Sequence, residues 1–339
     1  MNELKVRITR KGSKKLAKRI IKCAGIDTGK FKLDAAIDGS SERLQVDNTP
    51  EGHKLLLAWL RKHRVRRVGI EASGGYEQPV VAALRQKKLV VILFQPAQVR
   101  AYAKFHLQLA KNDKIDAALI AACTRDVRKI HEAPDPRLAP LAEHLTLIDQ
   151  IGEDIARAKN RLETCRDRQI KQHWKDEIAR LEKSEKAEFK ALVAAIRTHA
   201  DLADRLSLIQ SVDGIGLPTA VAILVRMPEI GRLTREQAAA LAGLAPYDDD
   251  SGERSGARHI QGGRKRLRLA LYTAALPASF RWNSHLVVLY ERLIKAGKTH
   301  KCALIACARK LLVFANTVVA RGREWAKSPP ERKPAAAVA

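Results

Sequence analysis

Cys23-Ala-Gly-Ile-Asp-Thr28 is a short apolar run that ends on an acid, and Arg67-Val-Gly-Ile-Glu71 repeats the pattern. Both read as buried strands that deliver a carboxylate, Asp27 or Glu71, at a strand end. Lys32 to Asp38 and Arg43 to Val46 read as the next strands of a meander. Pro50 to His63 spaces Leu55, Leu56, Trp59 and Leu60 as an amphipathic helix does. Gly74 and Gly75 break the chain after Glu71, Glu77 to Lys88 returns as a helix, Leu89 to Phe94 is a last strand, and Pro96 opens a helical stretch to Leu109. Three strands, helix, strand, helix, strand, helix is the order of an α/β ribonuclease H-like domain, a mixed sheet with helices on its faces.

In such a domain, acids at strand ends meet acids from a late helix. Lys111-Asn-Asp-Lys-Ile-Asp-Ala117 supplies them, with Asp113 and Asp116 three residues apart at the head of an alanine-rich run to Arg125. That spacing puts both carboxylates on one helix face. Taken alone, the stretch is an ordinary solvated first turn, Asp27 a turn cap and Glu71 a partner for some arginine. Taken together, the four form an oxygen-only set that suits magnesium or manganese rather than zinc, and two such cations would stabilise the attacking and leaving oxygens of an in-line phosphoryl transfer. Lys111 and Lys114 flank the pair as candidate phosphate contacts.

The charge balance fits a polyanionic partner. Over 339 residues, 63 Lys plus Arg stand against 37 Asp plus Glu, a net charge of +26, and a 46% hydrophobic fraction leaves room for two or three cored domains. Aromatics are only 4%, so stacking of bases on an aromatic platform is not the expected main binding mode. The five cysteines, Cys23, Cys123, Cys165, Cys302 and Cys307, are scattered without zinc-site spacing and read as reduced thiols of a cytoplasmic protein. No run of eighteen apolar residues points to a membrane span, and the basic arm over residues 1–22 lacks an apolar segment after it. The arm reads as flexible, either touching nucleic acid or serving as a solubilising tail.

Residues 23–130 thus form the first domain. Beyond it, Leu138, Leu141, Leu145, Ile148, Ile155 and Leu162 step by three, four or seven, and Ile178, Leu181, Phe189, Leu192 and Ile196 resume the stripe. Residues 138–208 read as long helices, either a coiled coil for subunit pairing or an intrachain hairpin. A mostly helical third domain spans 209–325, followed by a tail expected to be disordered over 326–339. Its Ser211-Val-Asp-Gly-Ile-Gly216 turn resembles a helix-hairpin-helix motif, in which Gly214 and Gly216 free backbone N–H groups for a phosphate; the plainer reading is a glycine-capped helix turn. A Gly-, Ser- and Asp-rich loop then precedes a helix start bearing Arg264, Lys265, Arg266 and Arg268, a natural cradle for a phosphodiester. Residues 251–339 hold 18 Lys plus Arg against 4 acids, a net of +14, so this end reads as a binding face.

The chain resembles the DEDD transposases of the insertion-sequence 110/1111 family from Ala24 to about residue 318. The motifs that carry the resemblance are Gly-Ile-Asp27, Gly-Ile-Glu71-Ala-Ser-Gly, Lys-Asn-Asp113-Lys-Ile-Asp116-Ala, the Gly-Ile-Gly hairpin and Leu-Ala-Pro-Tyr-Asp-Asp-Asp-Ser251-Gly. Gly-Gly-Arg264, Leu-Tyr272-Thr-Ala-Ala-Leu and Cys-Ala-Arg-Lys310-Leu-Leu follow in order. The basic arm departs from the pattern. The resemblance implies a RuvC-like domain whose four acids bind magnesium, and a nucleophilic serine at Ser251 in the C-terminal domain. It further implies an excising and inserting recombinase of DNA, guided by a structured non-coding RNA of the element, with a helical middle region that joins subunits into a dimer or tetramer. Ser255 is the rival nucleophile, and Arg254 and Arg258 are candidate ligands of the scissile phosphate. Two other classes stay open: a RuvC-like nuclease acting by hydrolysis, and a non-catalytic nucleic-acid-binding protein that kept the fold.

Overall fold

The computed structural model describes residues 21–107, 113–130, 132–248, 250–251, 254–256 and 258–326. The basic arm before residue 21, Lys111 and the tail beyond 326 lie outside them. Two compact units divide at residues 133 and 134.

The first unit is built on a five-stranded sheet. Its strands are β1 (Cys23–Thr28), β2 (Lys32–Ile37), β3 (Arg43–Asp47), β4 (Arg67–Glu71) and β5 (Val90–Phe94). Helices α1 (Pro50–Lys62), α2 (Gln78–Gln86), α3 (Pro96–Phe105) and α4 (Asp113–Asp126) complete the unit. The order across the sheet is β3-β2-β1-β4-β5, antiparallel among the first three and parallel from β1 through β4 to β5. This is the expected ribonuclease H-like topology. One sheet face buries Ile26, Leu33, Val68 and Ile70 with Leu56 and Leu60 of α1 and Val80 and Leu84 of α2. The opposite face carries α4, where Ile120 and Leu119 pack with Phe94 and Val99.

The second unit is helical apart from one small ribbon. α5 (Leu138–Thr164) and α6 (Arg168–Arg197) form an antiparallel hairpin inside the chain, pinned by His144 to Glu188 and Lys159 to Glu182, each at 2.8 Å. α7 (Ala200–Gln210), α8 (Leu217–Arg226) and α9 (Arg235–Ala242) follow. Four two-residue strands come next: β6 (Pro246–Tyr247), β7 (Asp250–Ser251), β8 (Arg254–Ser255) and β9 (His259–Ile260). α10 (Lys265–Pro277), a π-helical turn Ala278–Trp282, α11 (Ser284–Lys295) and α12 (His300–Arg321) end the unit.

The helical middle expected as a region of its own shares one core with the C-terminal helices. Leu138, Leu145 and Leu192 belong to the same buried cluster as Ile209, Ile223, Leu271 and Leu311. The apolar stripe of α5 and α6 therefore divides its duties, part closing the hairpin and part roofing the helices beyond it. α12 is long and apolar enough to cross a membrane, but Leu304, Cys307, Leu311 and Leu312 are fully buried. Packing against α7, α9, α10 and α11 makes it a core helix.

Candidate metal and nucleic-acid site

In β1 and β4, alternation sends Gly25 and Asp27, and likewise Arg67, Gly69 and Glu71, to the face that α4 covers. The helix touches the sheet backbone there. A Cβ on Gly25 would lie 2.2 Å from the Ala121 nitrogen and 2.3 Å from the Ala117 oxygen, and one on Gly69 would lie 1.8 Å from the Thr124 hydroxyl. Glycine at both positions is what lets α4 sit this low. Its direction follows from the far end, where the Arg67 guanidinium donates to the Val127 carbonyl at 3.2 Å, and Arg125 pairs with Asp38 at 3.0 Å. α4 thus runs antiparallel to β1 and β4. Its last turn lies over the strands' beginnings and its first turn over their ends, where Asp27 and Glu71 emerge.

Asp27, Glu71 and Asp116 are each half-buried at that edge. Asp113 opens α4, and its side chain, with that of Lys114, lies outside the described residues. Among the described residues no group of three or more His, Cys, Asp or Glu side chains is gathered closely enough to hold a metal. The donor chemistry nevertheless fits a hard divalent cation, because Asp27, Glu71 and Asp116 all offer carboxylate oxygen.

Sequence reading missed a fifth acid. Asp34 of β2 stands directly opposite Asp27 in the antiparallel register and so shares its face. Its carboxylate accepts from the Gln45 amide at 2.7 Å and lies 3.7 Å from the Lys32 ammonium. Alternation along β2 made Asp34 look like an ordinary polar position.

Two loops frame the edge, and Asn48 ties them together. Its amide donates to the Gly29 carbonyl after β1 and to the Tyr76 carbonyl after β4, both at 3.0 Å. The side-chain oxygen is left facing His53 Nε2 at 2.8 Å, so that nitrogen carries the proton. His53 is buried, which pushes its pKa below the ordinary value against the pull of Glu51. Within the second loop, the Glu77 carboxylate accepts from the Ser73 and Gly75 backbone at 3.0 and 2.9 Å. Burial pushes that carboxyl up, but its backbone hydrogen bonds outweigh burial and leave it low.

In the second unit, Ser251 lies on a two-tier antiparallel ribbon. β6 pairs with β9 at the root, and β7 pairs with β8 above it with Ser251 opposite Arg254 and Asp250 opposite Ser255. Arg258 pairs with Asp248 between the tiers at 2.5 Å. The side chains of Ser251, Arg254 and Ser255 lie outside the described residues. The root is closed by backbone on backbone, since a Cβ on Gly263 would lie 2.2 Å from the Gly243 nitrogen. Both glycines take left-handed φ values, +66° and +69°.

The expected basic cradle is largely committed within the protein. Arg264 forms a two-pronged pair with Glu229 at 2.6 and 2.8 Å; burial pushes the Glu229 carboxyl up, but this hydrogen bonding outweighs it and leaves the carboxyl low. Arg266 reaches Asp149 at 3.1 Å and Glu153 at 3.4 Å, and Arg268 donates to the Gly262 carbonyl at 2.7 Å. Lys265 is exposed. At the hairpin turn, Gly214 has φ +95° and a Cβ there would sit 2.4 Å from the Ala278 Cβ, so packing alone demands glycine. Gly216 caps α8 without a side-chain hydrogen bond, and a Cβ there would meet only Pro218, at 3.8 Å.

Comparison with known proteins agrees with this architecture. A DEDD transposase family of IS110 elements matches residues 24–168, and the transposase IS116/IS110/IS902 family matches residues 206–291, together more than half of the chain. The pilin gene-inverting proteins of Moraxella bovis and Moraxella lacunata are each 26% identical over 325 residues, which span 89% of this chain and 97% of theirs. A Thermus thermophilus RuvC structure aligns with 33% of this chain and 84% of its own at 20% identity and a TM-score of 0.23. The ribonuclease H-like assignment rests instead on the strand order and directions above. The chain belongs to the IS110 family of transposases and is a DNA transposase or recombinase.

Proposed function

We propose that the chain excises and inserts its element through a covalent protein-DNA intermediate. In this reading Asp27, Glu71, Asp113 and Asp116 hold a divalent cation, magnesium or manganese, and Ser251 is the nucleophile. The observation that carries it is α4 laid antiparallel over Gly25 and Gly69, which supports a meeting of its acidic first turn with the ends of β1 and β4. A bound divalent cation would neutralise charge on the phosphate oxygens.

The Ser251 hydroxyl needs activation, because it is a weak nucleophile at neutral pH. As its proton leaves to a base, the Ser251 oxygen bonds to phosphorus and the bond to one DNA strand breaks. That strand departs as a hydroxyl after gaining a proton. A hydroxyl of the incoming strand then attacks the phosphoserine, the new phosphodiester forms, and Ser251 recovers its proton. The phosphodiester bond count is conserved, so rejoining needs no ATP. A projecting ribbon is a suitable carrier for a group that must reach DNA, and Arg254 across from Ser251, with Arg258, would steady the phosphate. Backbone N–H groups at Gly214 and Gly216 would take a further phosphate as in a helix-hairpin-helix motif. A structured RNA of the element choosing donor and target, pairing of subunits into a dimer or tetramer through the outer surface of the hairpin of α5 and α6, and action in the cytoplasm complete the reading.

The test is incubation with labelled element-end DNA and magnesium, followed by a search for an adduct that survives boiling in detergent. We expect the adduct from wild type and from Ser255→Ala, and none from Ser251→Ala. An adduct persisting in Ser251→Ala refutes the serine assignment, and cleavage with no adduct in any variant favours hydrolysis. Asp27→Asn and Asp116→Asn should abolish cleavage while leaving DNA binding nearly intact. Full activity in either would refute the metal-binding role.

A further inference from the structure

In the second unit, α11, α12 and the segment after α12 enclose an open groove of about 1150 Å³. Its floor is aromatic. Phe314 and Trp325 meet at a centroid distance of 4.5 Å, and His285 stands edge-on to Trp325 at 5.8 Å. Its rim is cationic: Arg292, Lys310, Arg321 and Arg323 line it with Glu324 as the acid among them. In a chain with only 4% aromatics, this concentration of rings beneath positive charge is uncommon.

The floor is also built rather than left over. Gly322 ends α12 in a left-handed conformation, and the chain turns back so that the Trp325 backbone N–H donates to the Ser211 hydroxyl at 2.9 Å. That hydroxyl in turn donates to the Leu208 carbonyl at 2.8 Å, so the main chain that carries the indole is tied to the end of α7. Trp325 and Phe314 stay only half-buried, and Val288 beside them is 65% exposed. Lys310 lies 5.1 Å over the Phe314 ring.

We infer that this groove binds unpaired nucleotides of single-stranded DNA, bases stacked on Trp325 and Phe314 and phosphates held by the rim cations. Stacking on aromatic rings accepts any base, and the rim charge matches a polyphosphate backbone. Duplex DNA cannot use the floor, because its bases are already stacked inside the helix. The volume exceeds the roughly 300–1,000 Å³ of ordinary small-molecule pockets, leaving room for more than one nucleotide. Strand exchange between donor and target DNA leaves bases transiently unpaired, and a site that stacks them would keep a freed strand from re-pairing. The inference does not depend on the identity of the nucleophile or the metal.

The test is fluorescence anisotropy of the full-length protein with a short labelled oligodeoxynucleotide, offered as single strand, as duplex, and as RNA of the same sequence. Trp325→Ala should weaken single-strand binding about tenfold, Trp325→Phe should retain most of it, and duplex binding should not change. Lys310→Gln, an exposed change that leaves the floor intact, should lower the salt slope for the single strand by about one. Wild-type single-strand affinity in both Trp325→Ala and Lys310→Gln overturns the proposal. So does an equal loss for single strand and duplex, or a Trp325-dependent preference for the RNA over the DNA.

Discussion

Asn48 and His53 brace the two loops that frame the candidate site. Asn48 bridges the loop that follows Asp27 and the loop that follows Glu71, so its removal should let the two strand ends drift apart. Asn48→Ala should cost about 1–3 kcal/mol of stability, from stranded carbonyls and the lost His53 partner. It should slow strand cleavage by roughly 10²-fold, because misplacing reacting groups by about 1 Å costs on that order. Raised magnesium should restore part of the rate, whereas an unaltered metal dependence would make Asn48 merely structural. His53 adds a pH dependence. Its folded-state pKa lies below the ordinary 6.5, so the unfolded chain binds the proton more readily. Stability should therefore fall as pH drops below about 6.5, until the folded value is passed. His53→Gln should flatten that decline in melts across pH 5 to 7. Neither residue was legible in the sequence, because both act through contacts between loops distant in the chain. Asp27 and Glu71 were legible, since an apolar run closed by an acid is a local pattern.

At the scale of elements, the close seating of α4 makes the strongest claim. Gly25→Ala or Gly69→Ala should push the helix off the sheet at a cost of about 1–3 kcal/mol or more, and displace the acidic turn with it. Thermal melts together with the cleavage assay check this; a normal melt would mean that α4 does not sit as described. The hairpin glycines separate two roles in the same way. Gly214→Ala should lower the melting temperature, because its φ and Ala278 both forbid a side chain. Gly216→Ala should fold normally, so any loss of DNA affinity there reports on phosphate contact alone. The strand and helix order of the first unit could be read from the sequence because apolar periodicity is local. The placement of α5 and α6 could not, since a stripe at coiled-coil spacing looks alike whether it meets another subunit or, as here, its own chain.

For the molecule as a whole, the net charge of +26 favours nucleic acid as a partner and makes that binding salt-sensitive, but it does not say which cations do the binding. The run from Arg264 to Arg268 reads in sequence as a phosphate cradle. Its partners Asp149, Glu153 and Glu229 come from elements far away in the chain, which is why the pairing is invisible there. Arg264→Ala should therefore lower the melting temperature and leave the salt slope of DNA binding nearly unchanged. Lys265→Gln should lower that slope by about one with no effect on melting. Titrating affinity against salt for both variants decides between a structural and a binding role.

The glycine contact at the root of the ribbon, Gly243 against Gly263, has a consequence for exchange between relatives. The joint joins main chain to main chain, with the Arg268 guanidinium on the Gly243 and Gly262 carbonyls, and all of these groups lie outside residues 246–260. The outboard segment should therefore behave as a cassette. Residues 246–260 of another member should graft onto these two glycines, carrying that member's serine and its neighbours along. Length is the constraint on such grafts. One residue added to each arm would turn Ser251 to the opposite side of the ribbon, and two added to each arm would return it to its side.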